Sequence, residues 1–572
     1  MDTGLKLYRS YFPIKFGLQI DAKYGKLYPV FRKMMYPGDV FKIHADLLIR
    51  YQPMLAPPMN DCTATVRFYF VPLRLVEEEI ELIMTGSEDG HLSTETLPIC
   101  DSIYKKVDLT VDNEINKGSL MDILYQIPSG LVLNDVLKSK LETAKSSPAA
   151  YFAKAYARLW WDFYRDENLY TSYTDFETFV ADYLKSVQTT GSILSPCLAK
   201  DRITASLPWQ LKAAVVPRIE VVAEGHITDN LNLSWHENVD PVTEEKYGTY
   251  WLSTEDEGDP TLKAHVSQPS PLPNYPLPFG ISAVSGDEVE VFSEKMNNQL
   301  ETGKVKAGQD FGIFSTGFAG SDIRDVMSLT RTYERLARCG SRYTEFLRAN
   351  FGVAPSDGTL QRAQYIGGFK TKIVTTEVIQ TAGAGENPVG TLRGHGITHG
   401  MQTIKPFMSK EPGVLIGVLD IKPETIYAQG VDRELTARSR FDFLNPSFQH
   451  LSEQEVRKGE VYYAFDTDAD GNLVNDQTWG FQPYAEELRK GIKHVAGEMR
   501  DSLSYWNQAL IFGSRPSLNN AFISASSHIS SYNRPFNVVD NTVSPMVVDF
   551  GGLIEAYRPL VKNGTPGLAD HN

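Results

Sequence analysis

Two early stretches set the pattern of the chain. DVFKIHADLLIRY (39–51) and TATVRFYFVPL (63–73) carry β-branched and aromatic residues at near-alternate positions, the period of a half-buried strand. A Pro37-Gly38 turn signal precedes the first, and the proline-broken QPMLAPPMND separates the two. The period then changes: RLVEEEIELIM sets Leu75, Ile80, Ile83 and Met84 loosely on one side of a short helix. Residues 130–190 read as largely helical. Within them, AAYFAKAYARLWWDFYRDENLY (149–170) spaces Phe152, Tyr156, Trp160 and Phe163 along one helix face, a stripe that reads as core. SDIRDVMSLTRTYERLARCG (321–340) predicts a helix capped by Ser321 and closed by Gly340, with Ile323, Val326, Met327, Tyr333, Leu336 and Ala337 on its apolar face. From 369 strands return as FKTKIVTTEVIQT, GVLIGVLDI and EVYYAFD, with late apolar runs near 521 and 546. There is no internal repeat. Strands at both ends with long insertions between them predict a mainly β fold: one β-sandwich across 1–572, its sheets assembled from distant pieces of chain.

One stretch breaks this pattern. Residues 237–259 hold Glu237, Asp240, Glu244, Glu245, Glu255, Asp256, Glu257 and Asp259 against a single base, Lys246. QPSPLPNYPLPFG (268–280) follows, and its proline density excludes a regular helix or central strand and favours an extended path. Together these mark 223–305 as an inserted, surface-displayed excursion. Trp235, Tyr250, Trp251 and Phe279 within it argue for an ordered unit over a flexible linker.

Composition narrows the class. With 42% hydrophobic and 22% charged residues the chain is a soluble globular protein, and 572 residues accommodate one large β domain with insertions. A net charge of −15 and the lack of any run of five Lys/Arg mean that nucleic acid, if bound, needs another partner to neutralise most of its phosphate. Cys62, Cys100, Cys197 and Cys339 lie far apart and read as reduced thiols, not as a disulfide or zinc framework. No stretch has the continuous apolar length of a signal peptide or membrane helix, so the chain is expected to be cytosolic when made and not to insert into membranes.

The chemical motifs are few. FDTDADGNLVNDQ (465–477) puts Asp466, Asp468 and Asp470 at alternate positions before Gly471, as a calcium loop does, but Gln477 stands where a bidentate Glu is needed. Strand-like flanks make a solvated Asp-Gly turn the better reading, with calcium the minor one. RGHGITHG (393–400) has His395 and His399 at HxxxH spacing, but its glycines break any helix and predict a loop. No phosphate-cradling loop or nucleophile elbow is present, and no catalytic or cofactor-binding residue stands out. Arg331, Arg335, Arg338 and Arg342 form a stripe that either is solvated or meets phosphate or a neighbouring subunit. RSRFDFLNPSFQH (438–450) interleaves Arg438 and Arg440 with Phe441, Phe443 and Phe448, either a single-strand stacking pattern or buried phenylalanines.

Read in order, several segments resemble the major capsid proteins of the Microviridae, small icosahedral single-stranded DNA bacteriophages, and within them the gokushovirus branch. They are YPGDVFKIHADLLIRYQPMLAPPMNDCTATVRFYFVPLRLV, RLWWDFYRDENL, LPWQLK, ERLARCGSRYTEFLRANFGV, NPSFQHLSEQEV and WGFQPYAEELR, collinear from about residue 9 to about 560. The resemblance implies a single eight-stranded jelly roll with long loop and helical insertions, and sixty copies in a T=1 shell around circular single-stranded DNA. It also implies a small basic DNA-binding protein, an internal scaffolding protein and a DNA pilot protein as partners. The chain would then reside in the virion, and in the host cytoplasm during assembly. By the same resemblance, 223–305 occupies the place of the insertion that builds three-fold protrusions, with host attachment as its expected role and Trp235, Tyr250, Trp251 and Tyr275 as contact candidates. The acidic, proline-rich sequence here departs from the family pattern. The alternative is a jelly-roll carbohydrate-binding protein or glycosidase, with Trp235, Trp251 and Tyr275 as sugar platforms.

Overall fold

The computed structural model describes residues 9–85, 113–114, 118–127, 132–133, 148–190, 193–210, 348, 362–379, 381, 390, 392–440, 442–448, 453–537 and 544–562. Between 211 and 338 it describes the strands 224–226, 231–239, 246–254, 265–269, 281–284, 288–291, 304–305 and 310–312 and the helix 320–338. The chain divides into two compact units: Met1–Gln210 with Leu336–Asn572, and Leu211–Arg335.

Eight antiparallel strands build the first unit: β1 (Ser10–Ala22), β2 (Leu27–Met35), β3 (Val40–Tyr51), β4 (Cys62–Pro72), β5 (Gln364–Ile379), β6 (Leu392–Met408), β7 (Gly413–Pro423) and β8 (Met546–Arg558). Their order is β1-β8-β3-β6-β5-β4-β7-β2. Two four-stranded sheets, β1-β8-β3-β6 and β5-β4-β7-β2, meet where β5 changes partner, pairing with β4 through Ile373 and with β6 from Val374. This is the jelly roll. Its first and second halves in sequence, β1–β4 and β5–β8, interleave in both sheets, so neither closes without the other.

The strands follow from their patterns. In β1, Phe12, Ile14, Phe16, Leu18 and Ile20 alternate with the exposed Tyr11, Pro13, Lys15, Gly17, Gln19 and Asp21. Pro13 lacks a donor, but β1 pairs only with β8, and an edge strand tolerates it. β7 is buried on both faces, because its outer side is covered. Part of that cover is the helix α3 (Tyr151–Phe163), which follows α1 (Ile80–Thr85) and α2 (Leu120–Tyr125). The predicted aromatic stripe is core: Tyr156 is fully buried and its hydroxyl donates to Leu27 O at 2.7 Å, while Trp160 Nε1 donates to Ser195 O at 2.7 Å. Trp160 and Trp161 both stack on Phe179 of α4 (Phe176–Thr190), with ring centroids 5.1 Å apart. Burying one such ring contributes roughly 1.5–3 kcal/mol.

Three local expectations differ. RGHGITHG is not a loop but part of β6. Its glycines are packing positions: a Cβ on Gly396 would stand 2.3 Å from the Tyr51 ring, so only glycine lets that ring lie against the strand. EVYYAFD is not a strand. Residues Lys458–Val461 form one helical turn, held by the Glu460 carboxylate accepting from the Arg457 backbone N–H at 3.0 Å and by the demand of a buried arginine for that carboxylate. The run near 521 is the short helix Asn520–Ile523, capped by Asn519.

In the second unit, the strands 265–269, 246–254, 231–239 and 304–305 form a four-stranded sheet in that order. Two further pairs, 281–284 with 288–291 and 224–226 with 310–312, accompany it. Pro269 ends an edge strand. Residues 270–280, most of the proline-rich segment, lie outside the described residues. Among the described residues no helix is long and apolar enough to cross a membrane.

Candidate functional site

The predicted site residues are spread over both units. Asp466, Asp468 and Asp470 sit in a tight turn closed by Gly471 at φ +80°. The Asp468 carboxylate accepts from the backbone of Asp470 (3.0 Å) and Asn472 (2.8 Å) and from Gln477 Nε2 (2.9 Å). The Asn472 amide, first among these donors, holds the Asp468 carboxyl below its ordinary range. Asp466 pairs with Arg515 at 2.5 Å. Two of the three acids are thus engaged by the protein's own donors.

Arg331 and Arg335 lie exposed on α5 (Gly320–Arg338), where Met327 and Leu329 are exposed as well. The side chain of Arg338, and Arg342, lie outside the described residues. Arg438 and Arg440 are exposed on the segment before Pro446; Phe441 is outside the described residues. Of its neighbours, Phe443 stands in solvent and Phe448 packs edge-on to Tyr484 at 6.3 Å. Backbone amides of Ser439 and Arg438 pull the Asp442 carboxyl down to about 2 and fix this loop.

The aromatic candidates of the excursion divide. Register places Trp235 opposite Tyr250, and Trp251 opposite Ser234 and His265. Successive residues of a strand alternate faces, so Trp251 is out of phase with the Trp235–Tyr250 pair. Tyr275 lies outside the described residues. His395 and His399 are four residues apart on a strand, about 13 Å by strand geometry and too far to share an ion. His399 instead meets Asp46 at 2.7 Å. The thiols read as predicted where they are described: Cys62 is buried and free, and burial pushes its pKa up to about 12.

One buried ion-pair cluster had no sequence signal. Arg202 is buried, its guanidinium 2.5 Å from Glu460 and 3.4 Å from Asp432, with Arg433 and His494 completing the network. It ties the 195–210 segment to the long connection between β7 and β8. That connection also displays exposed apolar side chains: Phe465 is 93% exposed and Leu435 78%, and Phe443 and Leu444 are more than half exposed. Exposed apolar side chains of this size are surfaces that a partner can cover.

The fold is a jelly roll whose β7–β8 connection carries exposed apolar side chains, an architecture shared by structural subunits. The comparisons agree. The model of the capsid protein (F protein) family matches residues 3–568, and the chain belongs to that family. It is 25% identical to the capsid protein VP1 of Chlamydia phage 1, covering 98% of this chain and 96% of that one. It is 24% identical to VP1 of Bdellovibrio phage phiMH2K (98% and 95%) and to VP1 of Spiroplasma virus 4 (95% and 92%). The resemblance to the Microviridae is therefore correct, and the protein is a structural major capsid protein.

Proposed function

We propose that sixty copies of this chain close a T=1 shell around circular single-stranded DNA, without catalysis of their own. The observation that carries this is the apolar surface of the β7–β8 connection. Stable contacts bury about 800 Å² per partner, and exposed Leu435, Phe443, Leu444 and Phe465 supply the water-excluding centre such contacts need. An acidic subunit encloses DNA when a separate small basic protein neutralises the phosphates; a scaffolding protein and a pilot protein complete the assembly. The chain then resides in the virion, after assembly in the host cytoplasm. Light scattering on the purified chain should give megadalton particles or pentamers, and a stable monomer at high concentration would refute the reading.

The 223–305 segment is the outward excursion that contacts the host. Its excess of carboxylates keeps particles apart in solution. Deleting 230–300 should preserve particles and abolish most adsorption to host cells. Loss of particles would make the segment part of the scaffold. Exchanging Arg331 and Arg335 for Glu should lower particle yield or DNA retention if the stripe meets a subunit or phosphate; unchanged particles would assign it to solvent.

A further inference from the structure

A cleft of about 850 Å³ opens on the outer face of the β5-β4-β7 sheet, wholly within the first unit. Its floor is Thr65 and Arg67 of β4 beside Asp420 and Lys422 of β7, with Thr65 directly opposite Asp420 in register. Phe163 and Tyr164, at the end of α3, form one wall, and Lys200, Lys370 and Lys493 stand around it.

Three features of this cleft are unusual together. Asp420 is 5% exposed, and burial raises its carboxyl above the ordinary range. One oxygen is held by Lys422 at 2.8 Å, while Oδ1 has no hydrogen-bond partner among the described residues. A buried acceptor left unmade costs about 1–3 kcal/mol, so the site favours a ligand that donates. Next, the lysines at 200, 422 and 493 are each paired with an acid of the cleft, whereas among the described residues Lys370 has no ion-pair partner. Arg67 hydrogen-bonds the Tyr164 hydroxyl at 3.4 Å and lies 5.9 Å from that ring's centroid, and among the described residues it has no carboxylate partner, leaving much of its donor fork to offer. Finally, aromatic side chains flank these charges.

These requirements select a ligand. A metal ion is disfavoured because the cations Lys422 and Arg67 stand beside Asp420. Inorganic phosphate satisfies the cations but sets a second anion against the Asp420 carboxylate. A neutral sugar satisfies Asp420 but leaves Arg67 and Lys370 without a counter-charge. We infer that the cleft holds one nucleotide, its phosphate on Arg67 and Lys370 and the exocyclic amino group of its base donating to Asp420, beside Phe163 and Tyr164. Adenine, cytosine and guanine carry that amino group and thymine does not. The size agrees, since ligand sites run from about 300 to 1,000 Å³. The nucleotide comes either free from the cell or as a unit of the packaged strand; the second source rests on the capsid reading, the first does not.

The test is calorimetric titration of the full-length chain with dAMP, dCMP, dTMP, inorganic phosphate and glucose. dAMP and dCMP should bind several-fold more tightly than dTMP or phosphate. Lys370→Gln, at an exposed position, and Arg67→Gln should each weaken binding about tenfold, the value of one charged hydrogen bond. Asp420→Ala should erase the preference for amino-bearing bases. Ultraviolet cross-linking of virions separates the sources: adducts on Phe163 or Tyr164 identify the strand, and their absence with intact mononucleotide binding identifies the free nucleotide. The inference is overturned if no nucleotide saturates the chain, if Lys370→Gln binds like wild type, or if glucose binds in their place. Particle formation is scored separately by light scattering, so a failed titration leaves the capsid reading standing.

Discussion

Arg202→Met should destabilise the purified chain by about 3–5 kcal/mol, with a matching collapse in the yield of soluble particles. Arg202 and Glu460 are 1% and 4% exposed at the side chain and 2.5 Å apart. Removing the guanidinium leaves a carboxylate deep in the protein, with Arg433 at 3.7 Å as its nearest remaining cation. Attraction within the pair roughly offsets the cost of desolvating both charges, so the pair itself adds little; a lone buried charge has no such offset. Three consequences can be measured by urea unfolding. Arg202→Met should be severe, Glu460→Gln nearly as severe, and the double variant should regain a large part of either loss, because neither charge is then stranded. Purely additive losses would mean that the two residues act through separate contacts, and the clamp between 195–210 and the β7–β8 connection would be wrong.

How much of this was legible beforehand depended on whether the signal was local. The strands at 40–51, 62–72, 364–379, 413–423 and 546–558 announce themselves, since alternation or a continuous β-branched run is a property of adjacent residues. β1 carries one of the cleanest alternations in the chain, and its single proline belongs to an edge, a status only the folded sheet reveals. RGHGITHG misled for a related reason. Glycine is ambiguous in sequence, marking a turn where φ must be positive and a close approach where a neighbour's ring must fit; Tyr51, more than three hundred residues away in the chain, decides for the second. The cluster around Arg202 and the cleft around Asp420 gather residues from four or more separate segments, so no spacing rule encodes them. What sequence did convey about function came from collinear resemblance across many segments, not from any motif.

Gly552→Ala should be the most damaging single methyl in the jelly roll. Gly552 lies in β8 at φ +154°, beyond the comfortable range of a residue with a side chain. A Cβ built there stands 1.9 Å from His44 O, a backbone atom of the neighbouring strand that cannot step aside without breaking the β8–β3 ladder, and 3.0 Å from the Phe16 ring. The backbone strain costs roughly 1–3 kcal/mol by itself. Separating β8 from β3 to relieve the clash adds several more, at the place where β8, the last strand of the fold, joins β1 to β3. Since domains of this kind are stable by only about 5–15 kcal/mol, the variant should be insoluble or melt far below wild type. Gly17 provides the control: it lies in β1 opposite Gly551, the residue next to Gly552, yet a Cβ there meets nothing nearer than Phe550 O at 3.9 Å. Gly17→Ala should therefore fold and assemble normally. Equal behaviour of the two variants in thermal unfolding would show that β8 can yield at this point, and that the sheet does not depend on the close approach of its third strand.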